Sequence, residues 1–570
     1  MLLRRAAIAL TRASRPSFLH PKQSPRRHPM RSRRYLELLA ALTLFCAGAL
    51  LAGGASAVPV WSIDQDISGG DVNETYTSSN GQRFMAMDDS NNLYIAFFDN
   101  RFKIIGGDNN FEIFFRKFIF NFGAPTITRV TNSPNMSKYP SMATRNWGAG
   151  DYDTQQDSGR LYIVWQDGRL FAPTGTEPPS YQIFMRTFRT QGGTGFGPEL
   201  QVSPFDTANA ATLPVVTVGD SNRVWIVWQK PISGTGTTAL FERVYHSNTG
   251  VLDTLVQLTP GIAFAGNASI AASRDGVVHL VWADTRVGGN IQQIWTKRFL
   301  PGSGWTADEQ LVFSPAASSA PSITTDYRGH AHLVWVDRRA GGPDVFYKEY
   351  VPGVGWDLVD TQITTLTTSS QIQPYVDADA MSNVYTVWTD SRNGSSNPDI
   401  FYDTRMRGTW AGNTPLVYSA TDTTNSVQQY PGIAHDEFGT AYVTWTDERL
   451  PASIGKNREV FYKTGTNVVT AVPVPERPAL ARLLRNYPNP FNPITKVNFV
   501  LDRSAQVSLR VFDVQGRAVR TLLDGYLTSG PRIVGWDGRD DRGQQLPSGT
   551  YFMRLGGGGS YLSRTVNLVK

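Results

Sequence analysis

PSITTDYRGHAHLVWVDRRAGGPDVFYKEY, from Pro321 to Tyr350, decides how the rest of the chain is read. Pro321 to Thr325 is a short apolar run, and Tyr327 to His330 carries turn residues. Ala331 to Asp337 (AHLVWVD) is a strong strand by composition, and Asp344 to Tyr350 (DVFYKEY) is another. A fourth strand is expected around Trp356, ending in Gln362 to Thr364. Side chains two apart on a strand point the same way, so Trp335, Asp337 and Arg339 share one face and Val334 and Val336 the other.

The pattern recurs. Trp282, Asp284 and Arg286, then Trp388, Asp390 and Arg392, then Trp445, Asp447 and Arg449 repeat the motif, with tryptophans 53, 53 and 57 residues apart from Trp282 onward. Trp165, Asp167 and Arg169 form an earlier copy, Phe97, Asp99 and Arg101 one with Phe for Trp, and Trp228 with Lys230 a degenerate one, which makes seven. A period near 50 residues with four short strands per copy predicts an all-β, seven-bladed propeller over residues 58–464. The last copy stops one strand short, and Val58 to Ile67 (VPVWSIDQDI) resembles the missing strand, GWDLVDTQIT at Gly355 to Thr364. The first and last repeats are therefore expected to share a blade and close the ring, which removes open edges.

Ahead of the repeats, Arg31, Arg33 and Arg34 precede an apolar run from Leu38 to Leu51 and the small-residue site Ala55-Ser56-Ala57. This reads as a secretory signal over residues 1–57, with Met30 an alternative start. The leader holds ten of the 54 Lys and Arg and one of the 48 acids, so the remaining chain has 44 bases against 47 acids and a net charge of −3 with His neutral. That balance gives no basis for a nucleic-acid partner. Cys46 lies in the leader, so the mature chain has no cysteine, and no later stretch is apolar enough to span a bilayer.

Past the repeats, Val472 to Pro478 (VPVPERP) marks a Pro-rich linker, residues 465–484. Then follow YPNPFNP at Tyr487 to Pro493, TKVNFVL at Thr495 to Leu501, VSLRVFD at Val507 to Asp513, Gly516-Arg517, WDGRD from Trp536 and PSGTY at Pro547 to Tyr551. Alternation of Val497, Phe499 and Leu501, and of Val507, Leu509 and Val511, predicts a small antiparallel β-sandwich over residues 485–570. In the order of these motifs the segment resembles the immunoglobulin-like C-terminal domain of flagellar hook-capping proteins and type IX secretion sorting tails. The resemblance implies a bacterial protein, secreted or held at the cell surface, whose tail engages secretion or attachment machinery. The Asp- and Gly-rich WDGRDDRG at Trp536 to Gly543 reads as a hairpin turn, because the calcium-loop pattern with its terminal Glu is absent.

The motif residues Asp167, Arg169, Asp284, Arg286, Asp337, Arg339, Asp390, Arg392, Asp447 and Arg449 allow two accounts. In one, Trp fills the space between sheets while Asp and Arg pair at the strand end. In the other, carboxylates and guanidiniums ring one mouth of the channel and meet sugar hydroxyls or an anion. Blade two adds two insertions, Arg145 to Asp157 with Trp147 and Tyr152, and Leu170 to Tyr181, and inserted loops on a rigid scaffold commonly carry binding. The blades loosely resemble sialidase-like propellers, but Asp326 to Trp335 departs from the S-x-D-x-G-x-x-W turn in spacing and lacks its Ser. No Arg triad or Tyr/Glu pair can be matched to that group, and no catalytic residue is assigned. His330 and His332 are the only close histidine pair, no phosphate loop or nucleophile elbow occurs, and neither metal nor cofactor is expected. The expected function is binding of a carbohydrate or protein ligand, with a sialidase-like glycoside hydrolase and a structural envelope protein as alternatives.

Overall fold

A computed structural model describes residues 58–568 apart from short gaps, chiefly 69–73, 79–82, 89–91, 102–109, 119–126, 145–158, 172–177, 191–194, 365–368, 417–425, 437–439, 450–457 and 469–480. The leader, the centre of the linker, Trp147 and Tyr152 lie outside the described residues. All regular structure among the described residues is β.

Seven antiparallel sheets are built alike. In the fifth, the inner strand Ser318–Thr325 pairs with Ala331–Asp337, which pairs with Asp344–Val351, and the outermost strand is split into Gly355–Trp356 and Thr361–Gln362. The inner strands contact one another in sequence around the molecule, and that of the seventh sheet, Gln428–His435, contacts Met85–Met87 of the first. The ring is a closed seven-bladed β-propeller. Val58–Trp61 and Gln65–Asp66 both pair with Glu459–Val468, so the beginning and end of the ring share the seventh sheet.

Each motif tryptophan lies between neighbouring blades. Trp335 is fully buried in a cluster with Ala271, Val281, Ile294, Leu311 and Val312 of blade four, and it stacks on Phe346 of its own blade. Burying such a ring against apolar neighbours is worth about 1.5–3 kcal/mol in transfer terms alone.

The inner strand carries a feature that the motif does not announce. Tyr139, Leu213, Asn267, Ala320, Gln373 and Tyr430 have φ between 50° and 56°, each at a bulge in the pairing of its inner and second strands. Five of them precede proline (Pro140, Pro214, Pro321, Pro374 and Pro431). A non-glycine residue in the left-handed region is strained, and here the strain is held from the adjacent blade. The Gln166 side-chain oxygen accepts from Leu213 N at 3.1 Å, Gln229 from Asn267 N at 3.0 Å and Gln373 from Tyr430 N at 3.0 Å.

The C-terminal segment forms a sandwich of two sheets. Ala481–Leu483, Thr495–Leu501 and Gly530–Trp536 make one, and Ala518–Leu527, Ala505–Phe512, Gly549–Gly557 and Ser560–Leu568 the other. Val497, Phe499, Leu501, Val507, Leu509, Val511 and Trp536 fill its core. WDGRDDRG is a tight turn in which Asp540 Oδ1 accepts from the backbone of Arg542 and Gln544.

Candidate functional site

The repeated Asp-x-Arg pairs are fully engaged within their blades. Asp337 is buried, and its carboxylate accepts from Arg339 N (2.9 Å), the Arg339 guanidinium (2.7 Å), Trp335 Nε1 (3.3 Å), Ser314 Oγ (2.9 Å) and Ser318 Oγ (2.8 Å). Asp167, Asp284, Asp390 and Asp447 likewise accept from their tryptophan at 2.8–3.0 Å and from the backbone N of Arg169, Arg286, Arg392 and Arg449 at 2.8–2.9 Å. These arginines stack over the aromatic residue of the third strand: Phe184, Trp295, Phe346, Phe401 and Phe461 lie 3.8–4.8 Å from the guanidinium carbon.

A second acid on the outermost strand completes the arrangement. Arg286 reaches Asp308 at 2.6 Å, Arg339 reaches Asp360 at 2.7 Å, Arg449 reaches Asp64 at 2.7 Å, and Arg169 pairs with Glu199. Lys297, Lys348 and Lys463 bind the same outer acids at 2.7–2.8 Å and donate to Leu258 O, Leu311 O and Leu416 O of the preceding blade at 2.6–3.1 Å. Burial disfavours the arginine charge, but the two carboxylates outweigh it and hold Arg286 and Arg339 above the ordinary value. The network ties the second, third and outermost strands together, and then one blade to the next.

Blade three departs from this scheme at every position. Lys230 stands where the other blades have Asp, Ile232 where they have Arg, and Leu255 where blades two, four, five and seven have the outer acid. Lys230 pairs instead with Asp206 at 2.7 Å, and Trp228 Nε1 is buried without a hydrogen-bond partner among the described residues.

The same blade holds Glu242, whose Oε1 accepts from Trp305 Nε1 at 2.8 Å while Oε2 has no hydrogen-bond partner among the described residues. Burial, opposed by Trp305 and Lys297, pushes this carboxyl up to about 7. The unfolded chain has the ordinary value near 4.5. Between those values the folded chain binds the extra proton, so this group's contribution to stability falls as pH rises from about 4.5 to 7. Glu242→Gln is expected to flatten that slope and to stabilise the protein at pH 8 by about 3 kcal/mol. Urea midpoints of both forms at pH 5 and pH 8 check this, and an equal offset at the two values would refute the assignment.

The blade-two insertions are described only in part. Phe171 packs on Phe205 at 5.9 Å, and Phe205 is exposed.

A different set of residues converges in the centre of the ring, where inner strands of all seven blades line a cavity of about 180 Å³. Arg83 of blade one donates to Ile323 O of blade five at 3.2 Å and lies 3.9 Å from Asp377 Oδ1 of blade six, so its side chain links blades that are not neighbours. Asp377 Oδ2 accepts from His435 N at 3.0 Å and faces His435 Nδ1 at 3.1 Å, and Thr324 Oγ1 donates to Oδ1 at 3.3 Å. His435 packs on Tyr385, ring centroids 3.8 Å apart. The Nε atoms of Arg83 and the Nε2 of His435 are buried without a hydrogen-bond partner among the described residues.

Other carboxylates on the cavity wall have structural duties. Asp379 and Asp436 accept from the backbone of Asn383 and Thr440 and from the hydroxyls of Tyr385 and Tyr442. Asp326 accepts from Arg328 N and His330 N; burial would raise it, but these donors and the nearby His332 imidazole, 3.6 Å from Oδ2, hold it down at about 2. His330 and His332 do not share a centre, since His330 Nδ1 meets Glu349 and His332 Nδ1 meets Tyr347. Among the described residues no three His, Cys, Asp or Glu side chains are placed to hold a metal ion.

Sequence reading found the Asp-x-Arg pairs but not this cluster. Arg83 occupies the position of Pro321 in the strand alignment, where five blades have proline, Asp377 that of Thr324 and His435 that of Thr325. A polar residue out of step with its repeats was the available signal.

The family of FlgD Ig-like domains matches residues 492–556. Among curated proteins none matches the sequence. Similar solved structures include a fungal alcohol oxidase of the AA5 family in complex with copper, with 10% identity, 90% of this chain and 100% of that one covered and a TM-score of 0.43. PorZ, a surface component of the type IX secretion system of Porphyromonas gingivalis, gives 12% identity, 86% and 60% coverage and a TM-score of 0.38. The microbial sialidase Hz136 gives 11% identity, 61% and 72% coverage and a TM-score of 0.37. The chain is thus a seven-bladed β-propeller followed, at residues 492–556, by a domain that matches the FlgD Ig-like family.

Proposed function

We propose that this is an exported bacterial propeller, secreted or held at the cell surface, which binds a carbohydrate or protein ligand and is delivered or attached through its C-terminal Ig-like domain. The observation that carries the reading is a contrast within the ring. The repeated charged residues are consumed in tying strands and blades together, whereas the polar groups that break the repeat, Arg83, Asp377 and His435, gather at the central cavity. A scaffold that spends its symmetric residues on rigidity and places its asymmetric ones in a cavity is built to hold something. The leader and the FlgD-like tail support export and attachment.

The test is a glycan array and a panel of fluorogenic glycosides, both run on the chain from Val58 to Lys570. Binding to a defined set of glycans without turnover is the expected result. Turnover abolished by a cavity substitution such as Asp377→Asn would overturn the binding reading in favour of a glycoside hydrolase. Silence on both leaves the protein-ligand arm, which a pull-down with the intact surface fraction of the producing bacterium then decides.

A further inference from the structure

We propose that the cavity around Arg83, Asp377 and His435 binds one neutral polyhydroxylated ring, a single sugar residue or a cyclic polyol. This rests on the reading that the propeller is a binding protein, and it specifies where and what it binds. The argument is one of unmet hydrogen-bonding capacity. Asp377 accepts from Thr324 and from the backbone of His435, and the contact of its Oδ2 with His435 Nδ1 places the imidazole proton on Nδ1. That tautomer leaves His435 Nε2 as an acceptor, and it is buried with no donor. Arg83 Nε–H is a donor, and it is buried with no acceptor.

A site that lacks one acceptor and one donor selects ligands able to supply both. A hydroxyl does, and neighbouring hydroxyls on a ring do so at two points. A carboxylate would satisfy Arg83 but leave His435 Nε2 unmet and stand against Asp377, which lies 3.9 Å from the guanidinium. An ammonium group would satisfy His435 Nε2 but repel Arg83. Charge weighs against an anion as well, because besides the Arg83–Asp377 pair the wall carries Asp326, Asp379 and Asp436, whose carboxylates are already engaged by backbone and side-chain donors. Apolar surface for the ring carbons is present in Met85, Met87, Met142 and Tyr375. At about 180 Å³ the cavity is smaller than the roughly 300–1,000 Å³ clefts that take drug-sized ligands, a size for one ring and not for a chain.

The experiment titrates the chain from Val58 to Lys570 with methyl glucoside, methyl galactoside, methyl mannoside and myo-inositol, and separately with acetate, glucuronate and ethylamine, read by ligand-observed NMR. At least one neutral polyol is expected to saturate while acetate and ethylamine do not. Arg83→Met, at a partly exposed side chain, should weaken that binding at least about tenfold in a protein that still unfolds in one cooperative melt. His435→Gln, which keeps a polar group at the site, serves as the second variant and should weaken it similarly. Polyol binding indifferent to both substitutions would overturn the inference, as would selective binding of acetate or glucuronate, or no saturation by any polyol. The two readings fail separately: a positive glycan array that Arg83→Met leaves intact removes the channel site and keeps the binding protein, whereas an array, a glycoside panel and a pull-down that are all negative remove both.

Discussion

Asp337→Ala is expected to cost about 3–5 kcal/mol of stability, measured as the shift in urea midpoint of the chain from Val58 to Lys570. The carboxylate takes five donors, from Trp335, Ser314, Ser318 and twice from Arg339, and it is fully buried. Removing it strands the indole N–H and two serine hydroxyls and leaves the guanidinium with Asp360 alone, and that penalty exceeds the modest net worth of any one of the bonds. Because the loss falls on the remaining partners, the cost must shrink when they leave too. The double variant Asp337→Ala with Arg339→Ala is expected to cost about 1–3 kcal/mol less than the sum of the single changes. Blade three already makes this point, since its Asp, Arg and outer acid are replaced together by Lys230, Ile232 and Leu255. Lys230→Ala, which breaks the partly exposed pair with Asp206 and a distant contact with the Phe241 ring at 5.9 Å, should cost less than about 1 kcal/mol. A midpoint for Asp337→Ala within error of the parent would mean that the repeated motif does not stabilise the blades.

A chain shortened to begin at Ser68 is expected to lose about 5–8 kcal/mol and to self-associate. It lacks Val58–Trp61 and Gln65–Asp66, the outermost strand of the seventh sheet. Trp61, which packs edge-on against Tyr402 at 5.1 Å, and the buried Ile67 go with it. Arg449 and Lys463 both lose Asp64, their partner at 2.7 Å. Glu459–Val468 is left as a ten-residue edge able to pair with another copy. Thermal melts and light scattering after size exclusion report the two effects, and a synthetic peptide of residues 58–67 should reverse both. A shortened chain that stays monomeric and melts with the parent would show that the seventh sheet stands without its outer strand.

The repeat made the fold legible. Trp335, Asp337 and Arg339 recur with the same spacing and do the same work in five of the seven blades, so copies corroborate one another. The split outer strand could be placed by the likeness of Val58 to Ile67 to Gly355 to Thr364. Three things were hidden for physical reasons. The outer acids Asp64, Glu199, Asp308 and Asp360 sit on short strands of varied composition, more than twenty residues from the arginines they serve or, for Asp64, at the other end of the ring. The strained inner-strand position is filled by Tyr, Leu, Asn, Ala or Gln, because what recurs there is a backbone angle rather than a side chain. Arg83, Asp377 and His435 come from three blades and meet only when the ring is formed, so no local pattern records them.

The strand arrangement of the seventh sheet also fixes a path for mechanical load. Val58 pairs with Val468, so the chain enters and leaves the ring at adjacent points of one sheet. Tension applied between those two points would part hydrogen bonds one after another from a single end, the direction in which paired strands resist least. Tension applied between the cavity and the C-terminal side would instead be taken up by Glu459–Val468, which is held along its length by Thr440–Asp447 and clamped through Lys463 to Leu416 of the neighbouring blade. Under the proposed attachment through the tail, a pull on a ligand held in the cavity would load the ring in the second, stronger way.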